Sequence, residues 1–273
     1  MNDIVIRPVA TVEEREACVA LQELTWGEGF ADRVPASILM VAQEMGGVVS
    51  GAFQGERLVG FVFGITGFRG GRRAHWSDML AVLPGYRGRG LGYRLKLHQR
   101  DLLLALGVET VFWTFDPLVS RNAHLNLRRL GAITRTYERD LYGRSNSPLH
   151  QGIGTDRLMA EWWISVGRVG RRLAGAAPEA DRLTDRALVN PPAAGGRHPR
   201  PGADIVLPET DAVEIAVPSD IHGLRSSDPG LALDWRINVR AAFESAFGAG
   251  YTAVDLIRDD GLSRYVLTRT LTR

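Results

Sequence analysis

The sequence predicts a mixed α/β (α+β) fold, in which a mostly antiparallel central sheet is flanked by helices and followed by a smaller C-terminal β-α-β-β subdomain. Strand-like and helix-like segments alternate along residues 4–164. Short turns join some neighbouring strand segments without an intervening helix, which is typical of antiparallel pairing. After a change in composition near residue 166, a strand–helix–strand–strand order follows in residues 204–273.

The first 164 residues account for the central sheet and its helices. Thr11 and Glu14 have the spacing of a capping box, which predicts the start of the first helix, and Pro35 begins the second. A later helix carries an apolar stripe formed by Leu91, Leu95, Leu102 and Leu106. The predicted strands are 4–10, 48–53, 57–66, 74–83, 110–118, 132–143 and 157–164, and the predicted helices are 11–26, 34–45, 90–107 and 120–131.

The remaining sequence predicts a linker and a second domain. Residues 166–203 lack aromatic side chains and are rich in Pro, Gly, Ala and Arg, which is typical of a linker. Residues 204–273 form the C-terminal subdomain in this prediction, and their helix–Gly–strand order resembles that of residues 126–140 closely enough to suggest a degenerate half-repeat. The predicted domains are therefore 1–165, 166–203 and 204–273.

The composition is that of a globular protein with a substantial core. Of the 273 residues, 45% are hydrophobic, and the formal net charge is +2. This near-balance gives no reason to expect a nucleic-acid partner. The single cysteine, Cys18, excludes an internal disulfide and a cysteine-based metal cluster, and no metal site is predicted. Without a charged-then-apolar leader or a run of about 18 apolar residues, we expect a cytoplasmic protein with no membrane association.

The most informative stretch is PGYRGRGLGYR, residues 84–94, between a predicted strand and a predicted helix. The first turn of a helix has unpaired N–H groups, and glycines at 88, 90 and 92 allow an anion to approach them closely. Arg87 and Arg89 add positive charge, although 32 arginines against one lysine reduce the weight of any single arginine. The spacing does not match G-x-G-x-x-G, because Tyr93 occupies the third glycine position, and no Lys-Ser or Lys-Thr pair completes a P-loop.

The stretch instead fits R-x-x-G-x-G from Arg87 to Gly92, and in this respect the sequence resembles the GNAT (GCN5-related N-acetyltransferase) superfamily. The resemblance covers about residues 4–164. The segments SDMLAVLPGYRGRGLGYRLKLHQR and WTFDPLVSRNAHLNLRRLGA resemble an uncharacterised branch of predicted acetyltransferases that has a C-terminal extension.

The resemblance implies an acyl-CoA co-substrate, by default acetyl-CoA, held between two strands that diverge in a V. Main-chain groups along Met79–Val82 would bind the pantetheine arm on one strand, and Trp113–Pro117 would form the other wall. The implied coenzyme A contacts are Leu80, Ala81, Val82, Arg87, Gly88, Arg89, Gly90, Leu91, Gly92, Tyr93 and Asn122.

The sequence departs from the family pattern at the expected general acid. Where many members have a tyrosine, alignment on Gly131 places Leu127. Asn122 and Asn126 lie four residues apart on one predicted helix, so they could bind the pantetheine or hold a water near the sulfur, or they could lie on a solvated face. Asn126 is therefore a candidate catalytic residue.

Asp78 is the first candidate for the general base, and its alternative is a structural ion pair with Arg72 or Arg73. Asp116 could be catalytic or a turn residue, whereas Glu161 is expected to be a surface charge. His75 and His98 are expected to be structural, His98 as a hydrogen-bonded core histidine. Aromatic residues that could line the acceptor site, or belong to the core, are Trp26, Phe30, Trp113, Tyr137 and Tyr142.

The expected function is transfer of an acyl group to a small-molecule amine by direct attack on the thioester. An alternative is a succinyl-CoA-dependent amino-acid acyltransferase, with Arg72, Arg73 and Arg135 binding the carboxylate. Another alternative is an inert acyl-CoA sensor or scaffold. A homodimer is compatible with the sequence.

Overall fold

The structure is a computed structural model and describes residues 4–143, 152–193 and 198–271. The chain packs as two compact units. Among the described residues, the first unit contains those up to Trp113 together with 163–165, and the second contains the others. The predicted fold class is confirmed: each unit combines helices with a sheet whose strands pair mainly in the antiparallel direction.

In the first unit, α1 and α2 follow the first strand, and α3 begins after the glycine-rich stretch. Thr11 accepts a hydrogen bond from the Glu14 N–H, which confirms the predicted cap of α1. The elements are β1 (Ile4–Pro8), α1 (Val12–Trp26), α2 (Ala36–Glu44), β2 (Val48–Gln54), β3 (Arg57–Arg69), β4 (Arg72–Val82), α3 (Leu91–Ala105) and β5 (Thr110–Phe115).

The strands of the first unit follow the order β1-β2-β3-β4-β5. The first three neighbouring pairs are antiparallel, whereas β4 and β5 are parallel. Apolar residues of β2, β3 and β4 form a core with α1 and α2. Cys18 is fully buried in this core, as expected, and burial raises the pKa of its thiol to about 12.

The buried face of α3 differs from the predicted apolar stripe in the second half of the helix. Leu91 and Leu95 are buried as expected, but Gln99 and Leu103 continue the buried face, and Leu106 is 41% exposed. The prediction followed apolar residues only and therefore missed Gln99, a buried polar residue on the inner face.

The second unit contains the remaining elements, in the strand order β7-β6-β12-β13-β11-β8. The predicted helix over 120–131 begins as α4 and continues as a π-helical segment, His124–Arg129. The elements are α4 (Ser120–Ala123), β6 (Ile133–Glu138), β7 (Arg157–Trp163), α5 (Gly167–Leu173), β8 (Ala187–Leu188), β9 (Pro192–Ala193), β10 (Arg200–Pro201), β11 (Ala212–Pro218), α6 (Ile221–Ser227), α7 (Pro229–Gly248), β12 (Thr252–Ile257) and β13 (Leu262–Thr268).

The C-terminal strands continue the sheet of β6 and β7, because β12 pairs with β6 at Ala253 and Thr134. The segment predicted as a linker contains α5 and also β8, which pairs in parallel with β11. The division into domains at 165 and 203, and the half-repeat, stay predictions.

Candidate active site

The glycine-rich stretch forms the connection between β4 and α3. Pro84–Tyr86 is a short 3₁₀ turn, and Gly90 is the N-cap of α3. Gly88 and Gly90 have φ angles of +77° and +75°, which L residues adopt only with strain. A Cβ at either position would meet no atom within 4 Å, so the backbone faces open space. A ligand can therefore approach the main chain here.

The N–H groups of residues 88–92 donate to no acceptor within the described part of the chain, whereas the Arg94 N–H donates to the Gly90 carbonyl at 3.0 Å. Open N–H groups at the start of a 15-residue helix favour an anion. Arg87 is held by a 3.0 Å hydrogen bond from Nε to the Val82 carbonyl, and the Arg89 guanidinium lies over the Tyr86 ring. The loop thus fits a diphosphate.

The strands β4 and β5 are paired only in the first part of β4. β4 pairs with β5 only at Ala74, His75 and Trp76, although β4 continues to Val82. Ser77 on β4 and Trp113 on β5 are the first residues beyond the last pair, and we call this position the strand divergence. The edge of β4 from Ser77 to Val82 therefore has no β5 partner within the described residues, which leaves main-chain groups available to an extended ligand.

A β-bulge in β4 lies at the strand divergence. Phe63 pairs with Met79 and Ile65 with Trp76, so Ser77 and Asp78 both lie opposite Gly64. Burial alternates through the bulge without interruption, and His75, Ser77, Met79 and Ala81 are buried. His75 and Ser77 contact Gln99 of α3, whereas Met79 belongs to the core formed with α1 and α2.

Asp78, the predicted base, is exposed at this bulge. Its partner is the Trp76 indole, whose Nε1–H donates to Oδ1 at 3.2 Å, so the predicted alternative of a pair with Arg72 or Arg73 is wrong. Surrounding protein shields the carboxyl and raises the pKa of Asp78; the Trp76 hydrogen bond lowers that pKa, and the charge of Asp32 raises it further. A raised pKa suits a proton acceptor.

A buried polar network lies behind the strand divergence. Lys96 of α3 is 2% exposed, and its Nζ lies 2.7 Å from Ser77 Oγ, 3.3 Å from Gln99 Oε1 and 4.0 Å from the centroid of the Trp113 ring. Ser77 Oγ in turn donates to Gln99 Oε1 at 3.0 Å. Burial lowers the pKa of Lys96 to about 7.

The same network continues from Gln99 to β3 and fixes the tautomer of His75. Thr66 donates to the Gly46 carbonyl, so its oxygen accepts from His75 Nδ1–H at 2.9 Å. His75 Nε2 then accepts from Gln99 Nε2 at 3.0 Å. Burial lowers the pKa of His75 to about 3, with a contribution from the Lys96 charge, so this histidine is neutral and structural as expected.

The candidate residues on the second unit differ in exposure. Asn122 is exposed on α4, whereas Asn126 is 5% exposed in the π-helical segment. Leu127, at the position of the family's tyrosine, is fully buried. The roles of Asn122 and Asn126 stay predictions.

Other acidic candidates have structural partners. Asp116 accepts from Arg236 at 2.7 Å and from the Leu118 N–H at 2.8 Å, which is a turn role. Glu161 accepts two hydrogen bonds from Arg135, as expected for a strand-surface charge.

Two further predictions concern the basic residues. The carboxylate-binding arginines of the succinyl-CoA alternative have protein contacts: Arg135 with Glu161, Arg73 with the Leu106 carbonyl and Arg72 at 3.9 Å from Glu109. His98 is only half-buried, and its Nε2 has no hydrogen-bond partner within the described chain, so the prediction of a satisfied core histidine is wrong.

The predicted acceptor-site aromatics are mostly engaged in packing. Trp26 stacks on Phe30 with centroids 5.7 Å apart, and Trp113 is 6% exposed. Tyr137 donates to Asp156 at 2.6 Å, whereas Tyr142 is 44% exposed, with its hydroxyl 2.8 Å from Thr114 Oγ1.

Comparisons with known proteins identify the family. Residues 15–132 match the model described as the acetyltransferase (GNAT) family, and this match spans α1, the glycine-rich loop and the end of the π-helical segment. Residues 15–132 belong to the GNAT family. This match covers less than half of the chain and supports an acyltransferase that uses an acyl-CoA donor. A search of curated proteins returned no match.

Solved structures with similar coordinates include several N-acetyltransferases. The ribosomal-protein-S18-alanine N-acetyltransferase from Escherichia coli is 20% identical, with a TM-score of 0.47, covering 60% of this chain and 96% of that one. Arabidopsis thaliana NAA60 in complex with a bisubstrate analogue is 16% identical, with a TM-score of 0.48 and coverages of 59% and 98%. Aminoglycoside 6'-acetyltransferase type Ii is 17% identical, with a TM-score of 0.46 and coverages of 59% and 98%.

None of the described helices is long and apolar enough to span a bilayer. Over the same residues, no group of three or more His, Cys, Asp and Glu side chains is arranged to hold a metal ion.

Sequence reasoning missed Lys96 and Gln99. One signal was available: Lys96 is the only lysine beside 32 arginines, so the chain keeps a lysine at a single position. Its spacing of three from Gln99 also places both on one helix face.

Proposed function

We propose that this chain is an acetyltransferase that transfers the acetyl group of acetyl-CoA to a small-molecule amine. One observation carries the proposal: a loop with open N–H groups follows β4 directly, and β4 separates from β5 beside the exposed carboxylate of Asp78. Anion binding, an unpaired strand edge and a candidate base thus lie on a single strand–loop–helix segment. A cytoplasmic location and a homodimer stay predictions.

In this proposal the loop and β4 bind the donor. The open N–H groups at the start of α3 bind the diphosphate, and the free edge of β4 pairs with the pantetheine amides. The proposed contacts are Leu80, Ala81, Val82, Arg87, Gly88, Arg89, Gly90, Leu91, Gly92 and Tyr93, with Asn122 as a further contact.

Asp78 acts as the general base in this proposal. The ionised carboxylate attracts a cationic amine and accepts its proton, directly or through water, before the amine attacks the thioester carbonyl. A carbon–nitrogen bond forms and the carbon–sulfur bond breaks, so coenzyme A leaves as a thiolate. The proton that the acylated nitrogen then loses passes through water to that thiolate. Asn126 is proposed to orient a water near that sulfur.

A donor-binding experiment tests the loop. Gly90→Glu places a negative charge and a strained side chain where the diphosphate would bind, so acetyl-CoA affinity measured by calorimetry should be lost. Gly175→Glu is the matched control, because Gly175 also has a positive φ (+89°) and open space around it, but lies after α5. If Gly90→Glu binds acetyl-CoA as tightly as Gly175→Glu and the wild type do, the loop is not the donor site.

A turnover experiment tests the reaction. The full chain is assayed for thiol release with acetyl-CoA and succinyl-CoA against amino acids, polyamines, aminoglycosides and a short peptide. Release with acetyl-CoA and a small amine supports the proposal, whereas release only with the peptide contradicts the acceptor class.

An inert acyl-CoA-binding protein is the second candidate, because a buried leucine replaces the usual tyrosine at position 127. That candidate predicts acetyl-CoA binding without thiol release for any amine.

A further inference from the structure

Lys96 lies between the two strands at the strand divergence. Ser77 and Trp113 are the first residues beyond the last β4–β5 pair, and the ammonium group contacts both: the Ser77 hydroxyl by a hydrogen bond and the Trp113 ring by its face. Gln99 Oε1 provides a third contact at 3.3 Å. The three N–H directions of the ammonium group thus have one partner each on β4, on β5 and on α3.

We propose that Lys96 is a positioning residue for acyl transfer, which holds Ser77 and Trp113 at the strand divergence through its ammonium group. This inference rests on the proposed function, because it assigns to Lys96 the spacing of the two strands between which the donor is proposed to bind. Lys96 acts through its neighbours and is not proposed to contact the substrate.

The hydrogen bonds give this contact a defined direction. Lys96 donates to Ser77, Ser77 to Gln99, Gln99 to His75, His75 to Thr66, and Thr66 to the Gly46 carbonyl. Each group has its donor and acceptor roles fixed by the next, so the network orients Ser77 in one way only. Ser77 precedes Asp78 in the bulge, so its orientation influences the backbone that carries the proposed base.

The charge state of Lys96 makes this support sensitive to pH. The groups that face it are Ser77 and His75 from β4, Gln99 from α3 and Trp113 from β5, and no ion pair with a described carboxylate offsets its burial. Because burial lowers the pKa of Lys96 to about 7, the ammonium form is lost as the pH rises through neutrality. The neutral amine loses the attraction to the indole face, so the strands are held less firmly.

A direct titration is possible because the chain contains a single lysine. Protein labelled with [¹³Cε]lysine should give one side-chain resonance, whose midpoint we expect near pH 7 rather than near the ordinary value of 10.5. Addition of acetyl-CoA should shift this resonance. An ordinary midpoint with no response to acetyl-CoA would overturn the proposal.

Kinetics test whether the role concerns transfer rather than folding. Lys96→Met and Ser77→Ala should each lower kcat by about 10-fold or more, with the donor KM changed by less than about 2-fold, because small misplacements reduce the chemical step. The double variant should be no worse than the poorer single variant, since both remove one contact. We expect kcat of the wild type to decrease as the pH rises through the pKa of Lys96, and Lys96→Met should lack this decrease.

Arg100→Met is the matched control on the same helix and should keep the wild-type kcat and pH profile. Circular dichroism and acetyl-CoA affinity verify that each variant is folded. If Lys96→Met keeps the kcat and the pH profile of the wild type, the role of Lys96 is overturned, while the proposed function is unaffected. A wild-type protein that does not bind acetyl-CoA would instead refute the proposed function, and the role in transfer with it.

Discussion

Asp78 and Ser77 are neighbours in the bulge of β4 and face different surroundings. Asp78 is exposed, whereas Ser77 faces the buried amine of Lys96. The pKa of the Asp78 carboxyl is raised, and the pKa of the Lys96 ammonium group, which contacts the preceding residue Ser77, is lowered. Shifted pKa values of this kind are typical of a functional site.

Asp78→Asn should lower kcat by about 100-fold or more, since a general base contributes on the order of 10²–10⁴. The carboxylate is active when ionised, so the wild-type rate should fall as the pH falls through the pKa of Asp78.

Asp32→Asn removes a charge that raises the pKa of Asp78, so the acid limb of the pH–rate profile should move to lower pH. Trp76→Phe removes the hydrogen bond that lowers it and should move the limb to higher pH. Initial rates across the pH range measure both shifts, and an unmoved limb in both variants would count against Asp78.

The residues of the loop were predictable from the sequence, whereas those of the network were not. Glycines at 88 and 90 are needed because the backbone has positive φ there, and their local spacing reveals that need. Lys96 lies 19 positions from Ser77, and such a contact exists only once helix and strand have packed together. The bulge that places Ser77 and Asp78 opposite one residue of β3 is a register shift that no local pattern shows.

At the scale of elements, the sequence predicted most strands and helices, because hydrophobic periodicity and capping residues are local signals. Thr11 and Pro35 located the starts of α1 and α2. Gln99 shows where hydrophobic periodicity is insufficient, because a buried polar residue on the inner face of α3 interrupts the apolar pattern. The change from α4 to a π-helical segment likewise had no local signal.

The bulge in β4 requires a glycine on the facing strand. A Cβ on Gly64 would lie 2.2 Å from His75 Nε2 and 2.4 Å from the Trp76 carbonyl oxygen, and the latter is backbone that cannot move aside easily. Gly64→Ala should therefore destabilise the fold by about 1–3 kcal/mol, as overpacking does.

Gly67→Ala is the control on the same strand, because a Cβ there meets nothing within 4 Å. Its effect should stay within about 0.5 kcal/mol, as for a surface substitution. Urea unfolding measures both variants, and equal midpoints would mean that β4 can shift to accept the methyl group.

At the scale of the whole molecule, the C-terminal segment supplies charge that the family region needs. Asp116 follows β5 and is 11% exposed, and its ion-pair partner Arg236 is 1% exposed and lies on α7. Burial alone would raise the pKa of Asp116, but the charge and hydrogen bond of Arg236 hold it below its ordinary value. Arg157 lies 3.9 Å from the same carboxylate, beyond hydrogen-bond distance, and its charge lowers the pKa of Asp116 less than Arg236 does.

Arg236→Met should destabilise the protein by about 3–5 kcal/mol, because it leaves the Asp116 carboxylate buried without its hydrogen-bonded partner. Arg139→Met is the control: its pair with Glu244 lies at the surface of the same unit, so unfolding should change little. Adding Asp116→Asn to Arg236→Met should recover part of the loss, since the amide carries no charge to neutralise. Thermal unfolding of the full chain measures all three variants. If Arg236→Met unfolds at the temperature of Arg139→Met, the pair between Asp116 and Arg236 is dispensable for this fold.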